Sequence, residues 1–311
     1  MNFQQLEYII AVDTHRHFLR AAQNCFVTQA TLSMMIQKLE EELGVKLFDR
    51  SKKPVKPTEV GIKIIAQARR ILGEVAKVTE LVQEEKGELI GDLKIGIIPT
   101  LAPYLLPLFL KDFIAAYPQV KLIINEHITT QIVQRLKDGQ LDVGILASPL
   151  NDKSIREQVL FYETFYLFVN KQEKGFNKHY VLPEDIDINR LWLLDEGHCM
   201  RNQILNFCEL KKQHEIEENL HYEAGSIETL KNLVDNNFGM TIIPELAALN
   251  LSKLQKKRLR FFKTPMPVRE ISMITHRQYV KHKLVAVLRE SILKAIPMEI
   301  NKEKEVRIID L

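Results

Sequence analysis

The chain has 311 residues, of which 46% are hydrophobic and 27% charged, the balance of an ordinary globular protein with room for two or three domains. Twelve Gly, twelve Pro and three Cys exclude a collagen-like or low-complexity chain and a disulfide-stapled secreted scaffold. The net charge is only +3, so binding to nucleic acid requires a basic surface that is local.

The first residues lack the basic and apolar regions of a signal peptide, and no apolar run approaches the ~18 residues that span a bilayer. The expectation is a cytoplasmic protein with reduced thiols and no membrane association. Phe3, Leu6, Tyr8, Ile9, Ile10 and Val12 share one helical stripe. Residues 18–24 form a second, shorter helix. Thr28 is the N-cap of a third, with apolar Leu32, Met35, Ile36, Leu39 and Leu43 and a terminating Gly44. Residues 45–48 and 55–58 read as two short strands around Ser51-Lys52-Lys53-Pro54. Residues 46–70 carry eight Lys or Arg against two acids, a local excess twice the charge of the whole chain. A charge run alone is more often a solvated face. Two helices, a turn and a basic hairpin are nevertheless the layout of a winged helix-turn-helix.

Thr58 opens a long helix through about residue 86, with apolar residues at three- and four-residue steps. Such a helix either pairs with a partner or packs on its own domain. Gly87 and Gly91 then mark a hinge. Beyond it strands at 93–98, 120–126, 143–146, 166–169, 191–194, 220–223, 240–243 and 271–275 alternate with helices at 103–117, 130–137, about 201–212, 227–236 and 278–295. That alternation implies parallel-rich sheets in an α/β domain of two lobes, whose ligands sit beyond the carboxyl ends of the strands.

Thr28-Gln29-Ala30-Thr31-Leu32-Ser33, Leu39-Glu40-Glu41-Glu42-Leu43-Gly44-Val45-Lys46-Leu47-Phe48-Asp49-Arg50 and Thr58-Glu59-Val60-Gly61 resemble the LysR-type transcriptional regulators. Ala30 stands where that family commonly has Pro, and Met34 where a polar side chain is usual. Met34 is able to reach only a thymine methyl or to pack locally. The run Leu194-Asp195-Glu196-Gly197-His198-Cys199-Met200-Arg201-Asn202-Gln203, followed by Phe207-Cys208, resembles the peroxide-sensing OxyR branch of the family. Ile98-Pro99-Thr100, Pro103-Tyr104-Leu105-Leu106-Pro107, Ser226-Ile227-Glu228-Thr229-Leu230-Lys231 and His15-Arg16-His17-Phe18 support it. The likeness covers nearly the whole chain and is weakest over about 170–190, 250–268 and the last ten residues.

The resemblance implies a winged helix-turn-helix at 1–58, a linker and dimerisation helix at 59–87, and a redox-sensing effector domain of periplasmic-binding-protein type at 88–311. Its first lobe is about 88–162 with 268–300, its second about 163–267. It implies a non-enzymatic activator that binds double-stranded DNA as a dimer of dimers, with RNA polymerase as a further partner. Gln29, Thr31, Ser33 and Met34 are the expected groove contacts and Arg50, Lys52 and Lys53 the expected phosphate contacts of the wing. Hydrogen peroxide oxidises Cys199, Cys208 resolves the product to a disulfide, and a cellular dithiol reductant resets it. Thr100, Thr129, His198 and Arg269 orient the peroxide. At Thr129 the neighbouring Thr130 leaves the register open by one position.

The residues allow this chemistry. Cysteines nine positions apart match neither a zinc spacing nor Cys-x-x-Cys, so neither a metal nor another cofactor is expected, although His198, His214 and His221 lie near in sequence. Cys199 falls at a strand-to-helix junction, where the helix terminus, Arg201 and His198 favour a thiolate. Thiolate attack on peroxide gives sulfenic acid, which a second thiol condenses to a disulfide. If 201–208 is helical, the Cα atoms lie on the order of 12–13 Å apart along the axis, beyond the ~7 Å a disulfide tolerates, so the helix must unwind. Bland readings stand beside these: buried structural cysteines, Thr100 as a helix cap, Arg269 in a surface ion pair and Cys25 as a core residue. The competing functions are a LysR-type regulator answering a small metabolite anion between its lobes, and a thiol peroxidase.

Overall fold

The computed structural model describes residues 1–311 except 87–88, 209–223, 237–238, 278, 280, 301–305 and 310–311. The chain divides into two compact units, Met1–Glu88 with Lys137–Gln140, and Leu89–Leu136 with Leu141–Leu311. The expected strand at 220–223, the end of the helix expected to reach 212, Gly87, His214 and His221 lie outside the described residues.

In the amino-terminal unit, α1 (Phe3–His15) starts at a capping box in which Asn2 accepts from the Gln5 amide and Gln5 from that of Asn2. The second helix, α2 (Phe18–Asn24), leads to α3 (Gln29–Leu43), where Thr28 accepts from the Thr31 amide at 3.1 Å and Gly44 closes the helix at φ +68°. Leu6, Ile9, Val12, Leu32, Ile36 and Leu39 meet in one core with Leu47, Phe48 and Ile65. The wing strands β1 (Phe48–Asp49) and β2 (Lys56–Pro57) are shorter than the sequence predicts and pair antiparallel, Phe48 opposite Pro57. The ladder is short because the Leu47 amide bonds Glu40 Oε1 at 2.8 Å while the Leu47 carbonyl accepts from Thr58. The long helix α4 (Glu59–Glu85) follows, with Thr58 accepting from the Gly61 amide. A Cβ at Gly61 would lie 2.1 Å from the Leu47 carbonyl oxygen, so only glycine fits there.

The second unit begins with β3 (Gly91–Ile97), α5 (Ala102–Ala116), β4 (Val120–Glu126), α6 (Thr129–Lys137) and β5 (Val143–Ser148). The strands β4, β3 and β5 are parallel neighbours in that order, and Leu93, Ile95, Leu105, Phe109, Ile132 and Ile145 bury their apolar faces. Next comes β6, a single strand from Ile155 to Val169, where the sequence indicates only 166–169. Its first half reads as charged and irregular because Arg156, Glu157 and Gln158 interrupt the alternation. Then come β7 (Tyr180–Val181), α7 (Cys199–Phe207), α8 (Ile227–Asn236), β8 (Met240–Pro244), α9 (Glu245–Leu249), α10 (Lys253–Lys256), β9 (Leu259–Phe262), β10 (Met266–His276), α11 (His282–Ala295) and β11 (Val306–Ile308). Residues 191–194, expected as a strand, make only single bridges, Leu191 to Met240 and Leu194 to Ala224.

The sheet is mixed rather than parallel-rich. Antiparallel β6 and β10 run side by side through both lobes. One half of β10 lies on β5, whereas the far half of β6 pairs with β8 and β9. The register sets Arg269 of β10 directly opposite Glu163 of β6. Beside them β11 adds in parallel at Met266–Val268.

Candidate functional site: a cysteine pocket and a DNA-facing helix

Cys199 is the first residue of α7, after Gly197 at φ +117° and His198 at the N-cap position. A left-handed residue is needed for the sharp entry to the helix, and glycine adopts it without strain. The sulfur therefore sits at the amino end of the helix, the end that stabilises negative charge. Its Sγ donates to Thr129 Oγ1 at 3.0 Å. Thr129 is buried at the start of α6 while Thr130 is exposed, so the threonine beside the sulfur is Thr129.

Thr100 follows β3 and is buried, but it caps nothing, because the N-cap residue of α5 is Leu101. Instead the Thr100 hydroxyl accepts from Arg269 Nη1 at 3.0 Å and its carbonyl from Nη2 at 3.3 Å. Arg269 is not at the surface. It is 0% exposed, and both Nε and Nη2 lie 2.8 Å from Glu163 Oε2. The other Glu163 oxygen accepts from the Leu246 amide at 2.8 Å. Burial pushes the Glu163 carboxyl up, and the Arg269 guanidinium with the Leu246 amide pulls it back. His198 Nε2 is turned to Asp195 Oδ1 at 3.0 Å, and the Arg201 guanidinium donates to the Leu194 carbonyl rather than to the sulfur.

Thr100, Thr129, His198, Cys199 and Arg269 line one cavity with Ile98, Pro99, Ile128, Ala147, Gly197 and Met200. The space open to the centre of a water-sized molecule is about 10 Å³, enough for one such molecule. Every pocket residue expected from the sequence is thus in one place except Cys208. Cys208 ends α7, buried with Leu205 and Phe207, and the Phe207 ring packs edge-on to Phe262 at 5.0 Å. Nine helical steps separate the cysteines, an axial rise of about 13 Å. Burial pushes the Cys208 thiol up to about 12.

In the amino-terminal unit, Gln29 and Met34 are exposed on α3, and Thr31 and Ser33 are half-buried beside them. Lys52 and Lys53 are exposed on the wing, Lys52 within 3.7 Å of Asp49. Arg50 is exposed as well and also braces the wing: it donates to Ser33 Oγ at 3.1 Å, lies 3.5 Å from Glu40 and covers the Phe18 ring at 4.9 Å. Glu40 is a residue that sequence reasoning misses, its buried carboxylate joining α3 to the wing. Its place in an acidic triplet conceals it. Phe26 is missed as well. It precedes α3 at φ +56° and is 96% exposed, a signal visible only in three dimensions.

Two family models match the chain: the lysR-family bacterial regulatory helix-turn-helix protein over residues 3–62, and the LysR substrate binding domain over 86–297. The chain is 36% identical to the hydrogen peroxide-inducible genes activator of Haemophilus influenzae over 88% of its own length and 90% of that protein. Among solved structures, full-length OxyR from Pseudomonas aeruginosa, carrying a cysteine-to-aspartate substitution, is similar with a TM-score of 0.78 and 33% identity, over 94% of this chain and 98% of that one. The chain belongs to the LysR family of transcriptional regulators, in its OxyR branch. A second solved relative is an OxyR cysteine mutant from Corynebacterium glutamicum with hydrogen peroxide bound, with a TM-score of 0.59, 27% identity and 94% coverage of each chain. The matched helix-turn-helix segment holds α3, on which Ala30 and Met34 are tolerated because both side chains are exposed. Among the described residues no helix is long and apolar enough to cross a membrane.

Proposed function

We propose that this protein is a peroxide-sensing transcriptional activator in which Cys199 is the reacting thiol and Cys208 resolves its oxidised form. The observation that carries the reading is the cavity at Cys199. It holds about one water-sized molecule, and the charge of its arginine is already matched by Glu163. A metabolite anion finds neither room nor an uncompensated cation there. A neutral peroxide fits, with donors from Arg269 and the threonine hydroxyls around it. The C. glutamicum relative with hydrogen peroxide bound adds to this reading.

In the reaction the Cys199 sulfur attacks one peroxide oxygen and the O–O bond breaks. Sulfur is oxidised by two electrons to sulfenic acid, and the departing hydroxide takes a proton to leave as water. The Cys208 thiol then displaces that hydroxyl as a second water and forms the disulfide. A dithiol reductant reverses the change. Thr129, already bonded to Cys199, and Thr100, held by Arg269, position the oxygens, and His198 closes the cavity. The helix between the cysteines has to unwind, so oxidation is coupled to a conformational change.

Residues 1–58 bind double-stranded DNA through Gln29, Thr31, Ser33 and Met34 on α3 and through Lys52 and Lys53, with Arg50 bracing the wing. The linker at 59–87, which holds α4, joins copies of the chain, supported by exposed Val75, Val78 and Val82, and the working form is a tetramer that recruits RNA polymerase. Residues 88–311 sense peroxide, with β6 and β10 crossing between the lobe of 88–162 and 268–300 and that of 163–267. The protein acts as a switch and not as an enzyme: a thiol peroxidase has no use for the helix-turn-helix unit. Mass spectrometry under non-reducing conditions after one equivalent of peroxide tests the reading. The expected product is a Cys199–Cys208 disulfide, and a protein that stays reduced overturns it.

A further inference from the structure

Glu163 faces Arg269 across one rung of the β6–β10 ladder, is 0% exposed, and commits one oxygen to β10, which carries the pocket arginine, and the other to α9. One oxygen holds two guanidinium nitrogens at 2.8 Å, and the other holds the Leu246 amide at the start of α9. The remaining nitrogen, Nη1, donates to the Thr100 hydroxyl, and Nη2 also reaches the Thr100 carbonyl, so the guanidinium is held between Glu163 and Thr100. A guanidinium buried without a counter-charge would draw any small anion into the space beside it.

We propose that Glu163 is a positioning and specificity-determining residue of the sensor: it fixes the Arg269 guanidinium against Thr100 and cancels its charge, so that the Cys199 cavity accepts a neutral, water-sized oxidant and refuses small anions. The proposal rests on the peroxide-sensing reading and adds to it the means of selection. Glu163 touches neither Cys199 nor the cavity and acts only through Arg269. The carboxylate of Glu245, whose charge acts on Glu163, accepts from the Thr164 amide and the Tyr166 hydroxyl.

The test is the rate of Cys199 oxidation by hydrogen peroxide in the full-length reduced protein. It is followed with about 0.1 M sodium fluoride and with the same ionic strength of sodium gluconate, an anion too large for the cavity. In the wild type the two salts give the same rate. In Glu163→Gln, oxidation in gluconate is slower by about tenfold or more, as a displaced guanidinium demands, and fluoride slows it further by competing for the exposed charge. Glu163→Asp keeps the charge but shortens the reach, so it is slowed without becoming fluoride-sensitive. A purely structural Glu163 would lower the melting temperature and leave both rates and the salt comparison unchanged, and that result overturns the proposal. If the Gln variant does not fold, the Asp variant and the wild type still decide: fluoride inhibition of either one overturns it. A wild type that does not react with peroxide would instead remove the underlying reading.

Discussion

The side-chain amide of Gln203, in the middle of α7, donates to the main-chain carbonyl of Ile309 at 3.0 Å. Gln203 is fully buried, and the amide of Ile309 in turn donates to the Val268 carbonyl, next to Arg269. Ile309, directly after β11, thus ties the helix between the two cysteines to the strand that carries the pocket arginine. Removing residues 301–311 takes away that hydrogen bond and uncovers apolar surface, together about 2–3 kcal/mol. The amides of α7 in the reduced protein should lose hydrogen-exchange protection accordingly. Unaltered protection in the truncated chain would show that the tail is an ornament to the helix.

The cysteines should separate by role. Cys199→Ser abolishes the peroxide response. Cys208→Ser is still oxidised at Cys199 but stops at sulfenic acid or goes beyond it. A dimedone trap should label Cys199, and only in the Cys208→Ser protein. First labelling at Cys208 reverses the assignment.

Oxidation should melt α7. Joining Cys199 to Cys208 requires Leu205 and Phe207 to leave the interior, at about 1.5–3 kcal/mol for each buried side chain. A change in redox poise offsets this at about 1.4 kcal/mol per 30 mV. Hydrogen exchange over 199–208 is expected to be slow in the reduced protein and fast in the disulfide form. Equal protection in both states leaves the switch without a moving part.

The buried thiol of Cys208 predicts a pH effect of definite sign. Its pKa rises from about 9 to about 12 on folding, so between those values the native state keeps a proton that the unfolded chain releases. Stability falls as pH climbs through that window, by up to about 1.4 kcal/mol per pH unit. Urea midpoints of the reduced protein at pH 8 and pH 10 should show it, and Cys208→Ala should remove this share of the slope.

On the wing, Lys52→Ala with Lys53→Ala should weaken binding to every DNA sequence. The salt dependence should flatten by about one unit for each phosphate that the wing no longer neutralises. An unchanged slope assigns the phosphates to other side chains.

The sequence makes some parts of this molecule plain and hides others for physical reasons. Helices α1, α3 and α4 are legible because each has a cap or a stripe of its own: Thr28 and Gly44 bracket α3 within a few residues. The pocket is legible through the family resemblance, which names Thr100, Thr129, His198 and Arg269, and these four line one cavity with Cys199. Their partners are not. Glu163 lies 106 positions from Arg269 in a stretch whose polar side chains disguise a strand, and only strand register brings the two together. The role of Ile309 is beyond reach for the same reason. Local pattern reports what a residue does to its neighbours in the chain, whereas a buried ion pair is decided by topology.

Glu40 has a wider consequence. One carboxylate takes the amides of Leu47 and Phe48 and lies within 3.5 Å of Lys46 and Arg50, while Arg50 reaches on to Ser33. Helix and wing are therefore clamped into a single stiff reading head. Such a head cannot trade one set of bases for another when a remote pocket changes. In the proposed tetramer, oxidation then has only the separation and angle of the copies to work with, so the two redox states should prefer sites that differ in half-site spacing and agree in half-site sequence.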